Sequence, residues 1–178
     1  MARVLVLGGQ RSGKSRYAEG LIAASGRAPV YLATATPGDG EMTERIAMHV
    51  ARRGPGWRTV EEPLDLAGVL TREARAENAV LVDCLTLWLT NLMGAERSME
   101  RETQRLVDAL SYAGGPVVIV SNEVGSGIIP ANAFARRYAD ALGVLNQQVA
   151  AAADTVVLVA AGLPTVLKPR PQTPEVTL

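Results

Sequence analysis

Four aliphatic residues, Val4-Leu5-Val6-Leu7, run without a polar interruption into Gly8-Gly9-Gln10-Arg11-Ser12-Gly13-Lys14-Ser15, and an amphipathic stretch opens at Lys14. The eight residues fit G-x-x-x-x-G-K-[ST] in the strand-to-helix setting that this pattern requires. In that setting the glycines let successive backbone N–H groups turn inward. Together with the positive end of the following helix they form a cradle for phosphate oxygens. Lys14 then bridges the outer phosphates, and the Ser15 hydroxyl ligates Mg²⁺. The motif alone therefore predicts a P-loop and an α/β domain around a mainly parallel sheet.

The rest of the chain keeps the same alternation. Strands are predicted at Arg3–Leu7, Pro29–Thr34, Ala79–Asp83, Val117–Asn122 and Thr155–Ala160, with Leu163–Lys168 as a terminal hairpin partner. The first, third and fourth lack polar alternation, which predicts strands covered on both faces and hence central ones. Helices are predicted at Lys14–Ala24, Glu41–Arg53, Leu64–Ala76, Leu85–Met93, Glu96–Tyr112 and Ala131–Ala153. Pro37–Gly40 and Gly54–Gly56 read as turns. One domain over 1–168 accounts for these elements, followed by a proline-rich tail, 169–178, expected to be extended or disordered.

Composition excludes several classes of function. Eighteen Lys and Arg balance eighteen Asp and Glu, so the chain has no global field for holding nucleic acid. The apolar run Val149–Leu163 is interrupted by Asp154, and the first residues meet glycines and charges before a signal-peptide core could form. No membrane span and a cytoplasmic location follow as expectations. Cys84 is the single cysteine, so no disulfide framework exists.

A P-loop also needs an acidic group near the metal, at the end of a neighbouring buried strand. Asp83 ends Ala79-Val80-Leu81-Val82-Asp83 and suits that place; the other use of an Asp there is to cap the helix starting at Leu85. Asn-Lys-x-Asp, the guanine-reading pattern of regulatory GTPases, is missing. That favours a metabolic kinase or transferase.

His49, the one histidine, lies in Glu41-Met42-Thr43-Glu44-Arg45-Ile46-Ala47-Met48-His49-Val50-Ala51-Arg52-Arg53. On a helix, Arg45, Arg52 and Arg53 share its face. Their charge favours the neutral, nucleophilic imidazole, and their guanidiniums could hold phosphate. The same charges also complement a helix dipole, Glu41 and Glu44 at its start and arginines at its end. Spacing does not choose between these readings.

Longer stretches carry a resemblance. Leu7 to Glu19, Tyr31-Leu32-Ala33-Thr34-Ala35, Arg45-Ile46-x-x-His49, Trp57-Arg58-Thr59, Asp83-Cys84-Leu85-Thr86, Thr90-Asn91-Leu92, Ser121-Asn122-Glu123-Val124-Gly125-Ser126-Gly127-Ile128-Ile129-Pro130 and Asn146-Gln147 together resemble the bifunctional adenosylcobinamide kinase/adenosylcobinamide-phosphate guanylyltransferase family. The likeness runs from about Arg3 to Lys168. Ser121 departs from the threonine frequent in relatives but keeps the hydroxyl.

The resemblance implies a RecA-like P-loop fold, a homotrimer and a corrinoid substrate. It also implies nucleotide contacts at Gly8, Gly9, Gln10, Arg11, Ser12, Gly13, Lys14, Ser15, Ala33, Thr34, Ala35, Val50, Ala51, Arg52, Arg53, Glu61 and Asp83. Lys14 and His49 are the implied catalytic residues, His49 carrying GMP as a phosphoramidate, with ATP and GTP as substrates and Mg²⁺ at Ser15 and Asp83. Three rivals stand beside it: another small-metabolite kinase, which would keep Lys14, Ser15 and Asp83 but leave His49 idle; a non-catalytic nucleotide-binding regulator; and a RecA-like motor, which would show DNA-stimulated hydrolysis and a basic surface that the balanced charge does not offer. α- against γ-labelled nucleotide separates the kinase from the bifunctional enzyme; the regulator would release no pyrophosphate.

Overall fold

The computed structural model describes residues 2–35, 51 and 53–169. Pro37–Gly40, residues 170–178 of the tail and all of Glu41–Arg53 except Ala51 and Arg53 lie outside them, His49, Val50 and Arg52 included.

The chain runs β1 (Arg3–Gly8), α1 (Lys14–Ala24), β2 (Ala28–Ala33), β3 (Arg58–Glu61), α2 (Leu66–Glu73), β4 (Asn78–Asp83), α3 (Leu85–Gly94), α4 (Met99–Ser111), β5 (Val117–Asn122), α5 (Ala133–Ala152), β6 (Thr155–Ala160) and β7 (Leu163–Lys168). The sheet order is β3-β2-β4-β5-β1-β6-β7. Each pairing is parallel except β6 with β7, the expected hairpin. The three strands predicted to be central, β4, β5 and β1, are adjacent in the middle.

Alternate residues of these strands feed two apolar layers. Leu5, Val80, Val82, Val117 and Ile119 face α2 to α5, around the fully buried Trp88. Val6, Leu81, Val118 and Val120 face α1, whose Ala18 and Ile22 recur at helical spacing. The indole N–H of Trp88 donates to Leu64 O at 2.9 Å, so its burial leaves no donor unpaired.

Three helices, α2, α4 and α5, begin where their caps stand rather than where apolar periodicity begins. Asp65 accepts from Gly68 N, Ser98 from Arg101 N, and Asn132 from Phe134 N and Ala135 N. These caps correct the predicted Leu64, Glu96 and Ala131 starts by two or three residues. Across the first helical layer, Arg105 of α4 reaches Asp65 and Glu102 at 2.7 Å each. Arg58 of β3 pairs with Glu73 of α2. At the far edge, Lys168 Nζ donates to the carbonyls of Ala150, Ala151 and Ala153, satisfying the end of α5.

Candidate functional site

Parallel pairing aligns the carboxyl ends of the strands along one sheet edge, where open α/β folds bind ligands. Gly8 is in register with Asn122, Asp83 with Val120 and with Ala33, and Ala33 with Glu61. Residues far apart in sequence thus share one rim. β5 lies between the P-loop strand and the Asp83 strand, so Asn122 and Glu123 emerge between them.

The loop from Gly8 to Ser15 has the geometry of a phosphate cradle. Arg11 and Gly13 take positive φ, 55° and 98°, which a tight loop before a helix requires. A Cβ on Gly13 would stand 3.2 Å from Gly162 Cα. Gly162, in the Ala161–Gly162 turn between β6 and β7, donates its N–H to Ser12 O at 2.8 Å, and Glu123 N donates to Gly8 O at 3.1 Å. The hairpin turn and the end of β5 therefore both brace the loop. Ser12 Oγ is buried without a hydrogen-bond partner. Gln10 is exposed, and Ser15 is half-buried in the first turn of α1.

Lys14 is buried, and its ammonium donates to Gly9 O at 2.9 Å. Burial lowers its pKa, while the Cys84 and Asp83 charges oppose that shift. The Asp83 carboxylate thus lies within electrostatic reach of the lysine. The helix-cap use of Asp83 is not the observed one: the residue before α3 is Cys84, with no side-chain cap. Asp83 Oδ2 instead accepts from the Tyr31 hydroxyl at 3.3 Å. The guanidinium of Arg53 stacks 3.4 Å from the centroid of the Tyr31 ring and lies 6.0 Å from that of Trp57, which meets Tyr31 edge-on. Tyr31 stands in the family-like stretch but receives no site role from the sequence, because it reads as one more strand aromatic. Its position two residues before Ala33, on the strand beside β4, is the signal that could have found it.

Thr34 is fully buried and its hydroxyl is committed to the fold. It donates to Cys84 O at 2.7 Å and accepts from Cys84 N at 2.8 Å, while Thr34 O accepts from Asn91 Nδ2. Thr34 joins the ends of β2 and β4, and its neighbours Ala33 and Ala35 flank that joint. Glu61 is exposed at the end of β3 beside Ala33, and Ala51 is also exposed. In the segment after β5, Ser121 Oγ donates to Asn146 Oδ1, and the Asn122 side-chain amide donates to Thr86 Oγ1. Ser121 is buried, so it supports the rim rather than lining it.

A hydroxyl at Ser15 and a carboxylate at Asp83 are hard oxygen donors, of the kind Mg²⁺ takes alongside phosphate oxygens. Among the described residues no cluster of three or more acidic, histidine or cysteine side chains could hold a metal alone. None of the described helices is long and apolar enough to cross a membrane.

Comparison with known proteins agrees with this geometry. The RadB recombinase structure superposes with a TM-score of 0.53 at 17% identity, over 88% of this chain and 73% of that one; this likeness shows the RecA-like fold alone. The bifunctional adenosylcobalamin biosynthesis protein CobP of Pseudomonas aeruginosa is 50% identical over 95% of this chain and 99% of its own length. Its counterpart CobU of Salmonella typhimurium is 41% identical over 93% and 99%. The family model described as cobinamide kinase/cobinamide phosphate guanyltransferase matches residues 4–167. The chain belongs to that family and is a bifunctional cobinamide kinase and cobinamide-phosphate guanylyltransferase.

Proposed function

We propose that the P-loop serves both halves of this chemistry in adenosylcobalamin biosynthesis, with adenosylcobinamide as the corrinoid, His49 as the carrier of GMP and Ser15 and Asp83 as Mg²⁺ ligands. The observation that carries the reading is the braced loop with Lys14 beside Asp83, reached through Tyr31 by Arg53, which lies four positions after His49 in sequence.

In the kinase half the alcohol oxygen of the aminopropanol arm attacks the γ-phosphorus of ATP or GTP. The bond to the β,γ-bridging oxygen breaks, the nucleoside diphosphate leaves and the alcohol proton is lost to solvent. Lys14 and the inward N–H groups of Gly8 to Ser15 hold the charge on the phosphates, so catalysis is largely positioning and neutralisation. In the transferase half a His49 nitrogen attacks the α-phosphorus of GTP and pyrophosphate leaves. The phosphate of the corrinoid then displaces the histidine, giving adenosylcobinamide-GDP. Mg²⁺, when bound, would neutralise the phosphate charge that develops in either step.

Several features support the wider set of contacts. Arg53 Nη1 and Ser12 Oγ are buried without hydrogen-bond partners, donors suited to phosphate oxygens. Ala33, Ala35, Glu61 and Asp83 share the rim with the loop, and Val50, Ala51 and Arg52 adjoin Arg53 in sequence. Residues 1–168 act as one domain, with 169–178 as an appended tail. A homotrimer in the cytoplasm completes the reading; exposed Leu163, Val166 and Leu167 on edge strand β7 offer an apolar surface that a second copy would cover.

The test is covalent labelling. With Mg²⁺ and α-labelled GTP but no corrinoid, the protein should keep label through denaturation, lose it in acid and keep it in alkali. γ-Labelled GTP should leave nothing bound. His49→Asn should not label yet should still phosphorylate adenosylcobinamide, whereas Lys14→Ala should lose both reactions. Acid-stable label, or label on His49→Asn, overturns the role of His49.

A further inference from the structure

The rim that carries the phosphate loop continues into a cleft that no step above uses. It encloses about 390 Å³ between Thr90 of α3, Val124 and Pro130 of the segment after β5, and Phe134 and Tyr138 of α5. No charged side chain lines it among the described residues. Tyr138 donates its hydroxyl to Thr86 O at 2.8 Å, so its polar tip is satisfied within the protein.

Three observations connect the cleft to the chemistry. Val124 forms one wall, and the residue before it, Glu123, donates its N–H to Gly8 O of the P-loop. Thr86, three residues past Asp83, accepts from both the backbone N and Nδ2 of Asn122 and, through its carbonyl, from the Tyr138 hydroxyl, tying this wall of the cleft to the end of β5. Ile128 is 97% exposed, Ile129 79% and Phe134 54%, apolar surface in the segment that leads up to Pro130 and Phe134 of the cleft. An exposed apolar surface continuous with a catalytic rim marks a binding site.

We propose that this cleft is the acceptor subsite and takes the uncharged, methyl-bearing rim of the cobinamide corrin ring. The inference rests on the cobinamide activity described above. The ring is too large to enter whole, so its rim fills the cleft while its face lies against Ile128 and Ile129. The alcohol arm then passes Glu123 to the phosphate loop. A second copy of the chain seated here would cover that entry.

The test is equilibrium binding of cobinamide to the full-length protein, followed by corrinoid absorbance. Losing an apolar wall should weaken cobinamide binding about tenfold in Phe134→Ser and in Val124→Ser, while Phe134→Leu stays within about threefold of the parent. Corrinoid-free labelling by α-labelled GTP should keep its rate in each. Serine variants that bind cobinamide as the parent does overturn the proposal. So does a Phe134→Ser protein of lower native mass with unchanged affinity, which makes the cleft an interface between copies. A parent that labels with GTP but binds no cobinamide overturns the cobinamide reading, and the subsite with it.

Discussion

Lys14 and Cys84 share one buried neighbourhood, and burial drives both toward their neutral forms. For the lysine this lowers the pKa, and nearby negative charge opposes the shift; arriving phosphates add to that opposition, so the ammonium is held most firmly when nucleotide is bound. For the thiol, burial and the Asp83 charge act together and push the pKa up to about 11. Because only the thiolate is nucleophilic, native Cys84 at pH 8 should react with iodoacetamide about 100-fold more slowly than the urea-unfolded chain. The difference should shrink as pH rises toward 11. A mass-spectrometric time course of alkylation checks it. At this scale the sequence was readable where a residue's chemistry has one use. Lys14 after Gly13 could only face the loop. Asp83 had two uses, and the structure chooses between them because α3 begins after Cys84 and the Tyr31 hydroxyl occupies Asp83. Thr34 gave no warning that its hydroxyl would clamp β2 to β4, since its partner lies 50 residues away.

Between elements, the most consequential polar contact is the one that ties α2 to α4. Arg105 answers Asp65 at the start of α2 and Glu102, whose side chain is 5% exposed. Arg105→Met should lower unfolding stability by about 1–3 kcal/mol, chiefly because a buried carboxylate loses its partner. Urea denaturation read by circular dichroism should show the lower midpoint without a change in slope. Glu102→Gln in the Arg105→Met background should recover part of the loss. Elements with a clear periodicity of their own were legible: amphipathic α1 spans Lys14–Ala24 as predicted, and the apolar strands β5 and β6 match theirs. β3 was missed because Arg58-Thr59-Val60-Glu61 is four residues long and mostly polar. It is an edge strand held by β2 alone, so pairing rather than its own pattern makes it a strand.

At the scale of the whole molecule, topology brings distant segments to one rim. The order of strands in the sheet was not fully readable, because which strand neighbours which depends on connections that local periodicity does not encode. The brace on the phosphate loop is such a connection, running from Gly162 N to Ser12 O. Gly162 has φ 81°, so Gly162→Val should strain the turn and weaken GTP binding about tenfold, with cobinamide binding unchanged. Titration calorimetry with each ligand checks both halves. The same brace orders events in time. The ribosome makes the loop 150 residues before the turn that steadies it. A nascent chain can therefore expose its phosphate motif without gripping nucleotide until the β6–β7 hairpin has been made.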